Sequence, residues 1–146
     1  MSRRPAVLIV DDDQNEVAVA LRALDRAGVD EPIAVARDGL EALEALGLEP
    51  SNETVPTTPR VVFLDVKMPR VDGWEVLRRI RAHPRTSDVP VVMLSSSDRK
   101  EDIERSYALG ANSFLVKQFD LQGPGRYVVE AVRYWLELNR TPDQGG

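Results

Sequence analysis

Five short apolar segments recur along the chain, and they constrain its fold more than any other feature of the sequence. Their residues are mostly β-branched or aliphatic and do not alternate with polar residues, which is typical of strands buried on both faces of a parallel sheet. The segments are Val7–Val10, Ile33–Ala36, Val61–Leu64, Val91–Leu94 and Phe114–Val116. The pattern therefore predicts five parallel strands.

Apolar residues between and after these segments recur at helical spacing, as Val17, Leu21 and Leu24 do after the first segment. Strands that alternate with helices form βαβ units, whose right-handed crossovers place helices on both faces of the sheet. We therefore predict an α/β fold with a doubly wound, five-stranded parallel sheet.

Residues typical of helix ends occur at the boundaries of the predicted helices. Asp13 is expected to cap the first helix and Gly28 to end it. Asp98 and Glu101 have the spacing that begins a helix, and Gly110 follows the last turn of that fourth helix.

Size and composition limit the chain to one domain. It has 146 residues, of which 42% are hydrophobic and 29% are charged, as is typical of a single globular domain. We expect one domain over residues 1–140, with a proline-rich loop over residues 47–60 and a disordered tail over residues 141–146.

Several functional classes are disfavoured by residue usage. The chain has no cysteine and a single histidine, His83, which excludes a disulfide framework and a cysteine-based or histidine-rich metal site. A net charge of -5 without a long basic block argues against nucleic acid as a partner. No apolar run approaches the roughly 18 residues of a membrane span, so we expect a cytoplasmic protein without a membrane partner.

The polar residues after four of the five predicted strands are candidates for a site, at the sheet edge where open α/β folds bind ligands. They are Asp11, Asp12 and Asp13 after the first strand, Asp65 after the third, Ser95, Ser96 and Ser97 after the fourth, and Lys117 after the fifth. Each alone has an ordinary explanation as a cap, a turn residue or a solvated charge. Together, the crowded carboxylates predict a cation, and an all-oxygen site suits Mg²⁺.

A carboxylate beside Mg²⁺ can attack a phosphoryl group, while a nearby ammonium and hydroxyl bind the remaining phosphoryl oxygens. Asp65 is the best candidate nucleophile because it ends a central strand. Lys117 and Ser95 would hold the phosphoryl oxygens, and the product would be an aspartyl phosphate.

Four motifs make the chain resemble the receiver domain of two-component response regulators, from about Val7 to Asn139. They are Val10–Asp12, Leu64–Gly73, Pro90–Ser96 and Gly110–Lys117. The resemblance implies a flavodoxin-like fold with strand order 2-1-3-4-5. It also implies a phosphoacceptor signalling protein rather than an enzyme acting on a separate substrate, with a sensor histidine kinase as phosphodonor.

The resemblance assigns roles to individual residues. Asp65 would accept the phosphoryl group. Asp12 and Asp65 would ligate Mg²⁺ directly, Asp11 mainly through water, and Lys67 through its backbone carbonyl. The phosphoryl-binding and switch residues would be Ser95, Ser96, Lys117 and Phe114. Phosphorylation would then shift a two-state equilibrium and alter the surface of the fourth helix, fifth strand and fifth helix.

Other segments resemble the small stand-alone regulators that are paired with bacterial phytochrome kinases. They are Arg105–Tyr107 followed by Gly110–Ser113, the ending Tyr134–Leu136, and the extended loop before Arg60. Output is then expected through a protein contact or onward phosphotransfer. A homodimer would use Tyr107, Phe114, Tyr134 and Trp135 as apolar anchors, although each of these aromatic residues can equally be a core residue.

One residue departs from the receiver pattern, and two alternative functions remain open. Gln118 follows Lys117 where receivers usually carry a proline with a cis peptide bond, which puts the position of Lys117 in question. Asp11-Asp12-Asp13 also fits an aspartate-nucleophile phosphohydrolase. That family usually has threonine or valine at the position of Asn15 and an acidic pair downstream of the lysine, and neither is found here. A receiver that only binds partners would lack part of the site, whereas here the acceptor, acids and lysine are all present.

Overall fold

The chain folds around a single five-stranded sheet. A computed structural model describes residues 5–53, 55–117 and 125–141. All strands are parallel and lie in the order β2-β1-β3-β4-β5, which confirms the predicted flavodoxin-like fold. The strands are β1 (Val7–Val10), β2 (Ile33–Ala36), β3 (Val61–Asp65), β4 (Val91–Ser95) and β5 (Ser113–Val116). They match the predicted segments to within one residue at each end.

Five α-helices connect or follow the strands, and a π-helical turn over Tyr134–Leu138 extends the last of them. The helices are α1 (Gln14–Arg26), α2 (Gly39–Ala45), α3 (Gly73–Ala82), α4 (Lys100–Ala108) and α5 (Arg126–Arg133). Among the described residues, no helix combines the length and the apolar character needed to cross a bilayer.

The predicted helix boundaries are right in three cases and wrong in one. Asp13 caps α1 by accepting hydrogen bonds from the backbone of Asn15 and Glu16, and Gly28 and Gly110 follow α1 and α4 with φ values of 77° and 104°. The prediction that Asp98 begins α4 is wrong. The N-cap is Arg99, which makes no side-chain capping hydrogen bond.

Apolar clusters cover both faces of the sheet, which explains why the strand sequences do not alternate. On one face Leu8, Val10, Val62, Leu64, Val91 and Met93 pack with Leu43, Val76, Leu77 and Ile80 from α2 and α3. On the other face Val7, Ile9, Val61, Phe63, Val92 and Leu94 pack with Ala20, Leu24, Val128 and Val132 from α1 and α5. The central strands are thus fixed from both sides, and so are the residues at their carboxyl ends.

The predicted loop over residues 47–60 has no helix or strand in its described part. Two arginines hold the start of this loop: Arg85 donates to the carbonyl of Leu46, the residue before the loop, and Arg79 donates to that of Leu48. Two predictions fall outside the described residues, namely the peptide bond between Lys117 and Gln118 and the tail beyond Thr141.

Candidate functional site

Three carboxylates meet at the carboxyl edge of the central strands. Asp11 and Asp12 follow β1, Asp65 ends β3, and each offers an oxygen that lies within 4.8 Å of those of the other two. Asp11 and Asp65 are buried and Asp12 is exposed. They are neighbours because β1 and β3 pair in parallel, with Val10 opposite Leu64. This oxygen set, open to solvent through Asp12, fits a hard divalent cation that keeps several waters.

A cleft of about 270 Å³ opens above these carboxylates. Its lining brings together most of the predicted site residues, together with Glu16. The lining residues are Asp12, Asp13, Glu16, Asp65, Lys67, Ser95, Ser96, Ser97 and Lys117. Ser95 is buried at the end of β4, and its Oγ accepts a 3.0 Å hydrogen bond from the backbone N–H of Ser97. Ser96 is exposed. The cleft is therefore polar, and its volume accommodates a phosphoryl group and waters.

The Lys117 ammonium lies among the carboxylates. Its backbone N–H donates to the carbonyl of Ser95 at 2.7 Å, which continues the β4–β5 pairing and fixes the residue at the sheet edge. Its Nζ lies 3.0 Å from Asp11 Oδ2, 3.4 Å from Asp65 Oδ1 and 2.5 Å from Glu16 Oε2. The lysine is thus at the site although Gln118, not proline, follows it.

Glu16 is the site residue that sequence reasoning missed. It lies in the first turn of α1, three residues after the cap Asp13. An acidic residue at that position ordinarily interacts with the helix dipole. The only signal in the sequence was the proximity of that turn to the run of aspartates.

The charges of the cleft shift the protonation equilibria of two groups. Burial raises the pKa of Asp65 to about 7; Lys117 lowers it, while Asp11 and Asp12 raise it further. Burial lowers the pKa of Lys117, but the hydrogen bond to Glu16 and the charges of Asp65 and Asp11 outweigh burial and raise that pKa above its ordinary value. The lysine is therefore held as a cation.

The four aromatic residues predicted to form an output face are not gathered into one cluster. Phe114 is half-buried and packs against the α2–α3 side of the sheet, whereas Trp135 is half-buried and packs against the α1–α5 side. Tyr107 and Tyr134 are exposed. Only Tyr134 and Trp135 form a described ring contact, edge to face with centroids 5.1 Å apart.

Comparison with known families agrees with this geometry. Residues 7–123 match the model of the response regulator receiver domain. The chain belongs to the response regulator receiver domain family. The four receiver motifs of the sequence analysis lie within the matched region.

Relatives of this receiver domain cover most of its length. It is 37% identical to "Probable methanogenesis regulatory protein FilR2" from Methanothrix harundinacea, over 93% of the chain and 86% of the relative. It is 31% identical to response regulator Rcp1 from Synechocystis sp., over 93% of the chain and 92% of the relative. Related structures include the phosphorylated cyanobacterial phytochrome response regulator RcpA, with a TM-score of 0.84, 29% identity, and coverage of 97% of this chain and 99% of that chain.

A manganese-bound structure of Rcp1 is also similar to this receiver domain, with a TM-score of 0.80, 29% identity, and coverage of 94% of this chain and 99% of that chain. In the present receiver, the carboxylates of Asp11, Asp12 and Asp65 are the group suited to a divalent ion.

Proposed function

We propose that this receiver domain accepts a phosphoryl group from a sensor histidine kinase onto Asp65. An Asp65 oxygen forms a bond to phosphorus while the phosphorus–nitrogen bond of the kinase phosphohistidine breaks, and the electron pair goes to the imidazole nitrogen. The observation that carries the proposal is the position of Lys117, whose Nζ lies 3.4 Å from Asp65 Oδ1, at the group of carboxylates that Asp65 forms with Asp11 and Asp12.

Different residues of the cleft would bind the phosphoryl group and the metal ion. Lys117 and Ser95 bind phosphoryl oxygens, with Ser96 beside them at the cleft mouth. Mg²⁺, held by Asp11, Asp12, Asp65 and the carbonyl of Lys67, would neutralise charge on the phosphoryl oxygens and lower the fraction of protonated Asp65. Movement of Ser95 towards the phosphoryl group would then allow Phe114 to turn inward.

The proposed partners are supported by the similarity to known regulators. Similarity to RcpA supports a phytochrome-type kinase as the phosphodonor. Output would pass to an effector or phosphotransfer protein, or to a second copy of the chain through Tyr107, Phe114, Tyr134 and Trp135. We propose one receiver domain over residues 1–140 that acts in the cytoplasm without binding nucleic acid or membrane.

Intact mass after incubation with Mg²⁺ and acetyl phosphate tests the proposal. We expect a gain of one phosphoryl group that disappears in Asp65→Asn and with a chelator. Asp38→Asn is the matched control, because Asp38 caps α2 at the same sheet edge but outside the cleft, and asparagine also caps helices. Equal labelling of Asp65→Asn would contradict the proposed acceptor.

Two further readouts separate the alternatives. A phosphohydrolase would turn over a general phosphatase substrate in a manner abolished by Asp11→Asn but not by Asp65→Asn. A receiver that only binds partners would take no phosphoryl group from small donors or from candidate kinases. Size-exclusion chromatography of the labelled samples tests whether phosphorylation and dimerisation are linked.

A further inference from the structure

Glu16 has no part in the phosphoryl transfer proposed above, yet it makes the shortest contact of the Lys117 ammonium. Glu16 Oε2 lies 2.5 Å from Lys117 Nζ, compared with 3.0 Å for Asp11 Oδ2 and 3.4 Å for Asp65 Oδ1. Glu16 also lines the cleft. A phosphoryl group at Asp65 would therefore compete with Glu16 for the same ammonium.

The exposed fractions of these side chains indicate which contact with Lys117 can break. The side chains of Asp11 and Asp65 are only 4% and 9% exposed, whereas that of Glu16 is 41% exposed. The two aspartates lie at the ends of β1 and β3, where burial holds their carboxylates beside the lysine. Glu16 lies on the first turn of α1, and its partly exposed carboxylate has room to turn into solvent.

We propose that Glu16 restrains Lys117 in the unphosphorylated chain and thereby slows the arrival of the phosphoryl group at Asp65. Glu16 acts through Lys117 and is a positioning residue rather than a catalytic one. The inference rests on the proposed function, since it concerns the rate of that same transfer.

Two effects of the Glu16 charge both slow the phosphorylation of Asp65. Lys117 must give up its contact with Glu16 before it can turn fully towards phosphoryl oxygens. The Glu16 carboxylate also adds negative charge to the cleft that an anionic phosphodonor has to enter. Neutralising Glu16 removes both effects and leaves Asp11, Asp12 and Asp65 unchanged.

The rate of phosphorylation by acetyl phosphate, followed by intact mass with Mg²⁺, tests the proposal. In each turnover Asp65 bonds to phosphorus and acetate leaves with the electron pair of the broken phosphorus–oxygen bond. We expect Glu16→Gln to react about two- to five-fold faster than the wild type at low salt, as fits one partly exposed ion pair. The advantage should shrink in about 1 M salt, where the Debye length is about 3 Å.

Two variants serve as controls. Glu16→Asp keeps the negative charge and should react at nearly the wild-type rate. Glu41→Gln makes the same change at the same position of α2, three residues after the cap Asp38. Because Glu41 does not line the cleft, this variant should match the wild type.

A second measurement does not depend on metal or on turnover. In the metal-free protein, NMR of the lysine ammonium groups reports how fast the Lys117 protons exchange with water. We expect several-fold faster exchange in Glu16→Gln and no change in Glu41→Gln, because the shortest restraint on the ammonium is lost only in the former.

The outcomes separate this inference from the function on which it rests. A wild type that is labelled at Asp65, together with a Glu16→Gln variant that is no faster, overturns the role of Glu16 alone. Unchanged ammonium exchange in Glu16→Gln also overturns it. A wild type that takes no phosphoryl group from acetyl phosphate or a kinase overturns the proposed function, and the rate effect of Glu16 with it.

Discussion

The indole Nε1 of Trp74 in α3 donates a 3.0 Å hydrogen bond to Ser106 Oγ in α4. Ser106 is fully buried and donates in turn to the carbonyl of Asp102 at 2.8 Å. The Arg105 guanidinium lies over the Trp74 ring, 4.0 Å from its centroid. The buried residues of α4 are Asp102 and Ser106, both polar, so polar contacts contribute much of the attachment of this helix.

Ser106→Ala should therefore lower the free energy of unfolding by about 1–3 kcal/mol, since it leaves the Trp74 N–H without its partner. Trp74→Phe should also destabilise the chain, through loss of the hydrogen bond and part of the stacking surface. Urea unfolding of both single variants and the double variant measures the coupling between them. Strictly additive losses would contradict a direct interaction between these two side chains.

Gly73 begins α3 and lies against the end of β3, the strand that carries Asp65. A Cβ at this position would lie 2.1 Å from the carbonyl oxygen of Asp65, which is backbone and cannot move aside cheaply. We expect Gly73→Ala to lower the free energy of unfolding by more than about 2 kcal/mol and to slow labelling of Asp65, because the strand end must shift.

Gly28→Ala is the control for that variant. Gly28 has a φ of 77° and open space where a Cβ would be. Gly28→Ala should therefore be destabilised only by the positive φ, which costs an L-residue about 1–2 kcal/mol. Labelling should stay at the wild-type rate. Equal stability and equal labelling of Gly73→Ala and Gly28→Ala would contradict the close contact at Gly73.

Much of the fold was predictable because β1, β3 and β4 are buried on both faces, and such strands show as unbroken apolar segments. The candidate site was predictable from the same segments. The carboxyl ends of parallel strands lie at one edge, so Asp11 and Asp65, on the adjacent strands β1 and β3, had to be neighbours once the strand order was known. Lys117 follows β5 and reaches both of them past β4 with its long side chain.

What the sequence could not predict depends on long side chains and on competing local interactions. The predicted start of α4 was wrong because Asp98 fits a capping pattern, whereas the helix begins after Arg99 without a side-chain cap. The contact between Glu16 and Lys117 joins residues 101 positions apart, and no local pattern encodes it. Arg81 was one of several basic residues on an amphipathic helix, with nothing to mark it as half-buried and bonded to backbone carbonyls.

Arg81 fixes the end of α3 to the segments around β4. Its Nε donates to the carbonyl of Gly110 at 2.9 Å, one Nη to that of Val89 at 2.7 Å, and the other to Asn112 Oδ1 at 2.7 Å. A lysine cannot reproduce this fork of donors. Arg81→Lys should cost about 2–4 kcal/mol in thermal or urea unfolding. The control Arg78→Lys alters an exposed pair with Glu75 and should cost less than about 1 kcal/mol.

Metal binding can be measured without following phosphorylation. If Asp11, Asp12 and Asp65 hold Mg²⁺, the ion at 100 times its Kd should stabilise the wild type by about 2.7 kcal/mol, seen as a rise in melting temperature that a chelator reverses. Asp12→Asn replaces one of the three carboxylates with a neutral amide and should lose most of that rise, whereas Asp38→Asn should retain it. An equal rise in both variants would place the metal elsewhere.

The raised pKa of Asp65 makes stability depend on pH in the metal-free protein. An aspartate in the unfolded chain has a pKa near 4, while burial, together with the charges of Asp11 and Asp12, raises the pKa of the native Asp65 carboxyl to about 7. Between these values the native state holds a proton that the unfolded state has lost, so unfolding releases a proton and the contribution of Asp65 to stability falls as pH rises. Asp65→Asn removes this dependence.

We therefore expect Asp65→Asn to gain stability relative to the wild type as pH rises from about 4 to 7, reaching a few kcal/mol and levelling off above. Urea unfolding of both proteins in a chelator, at half-unit pH steps, measures the difference. Saturating Mg²⁺ favours the carboxylate and should shrink the difference or reverse its sign. Parallel pH curves for the two metal-free proteins would contradict a raised pKa at Asp65.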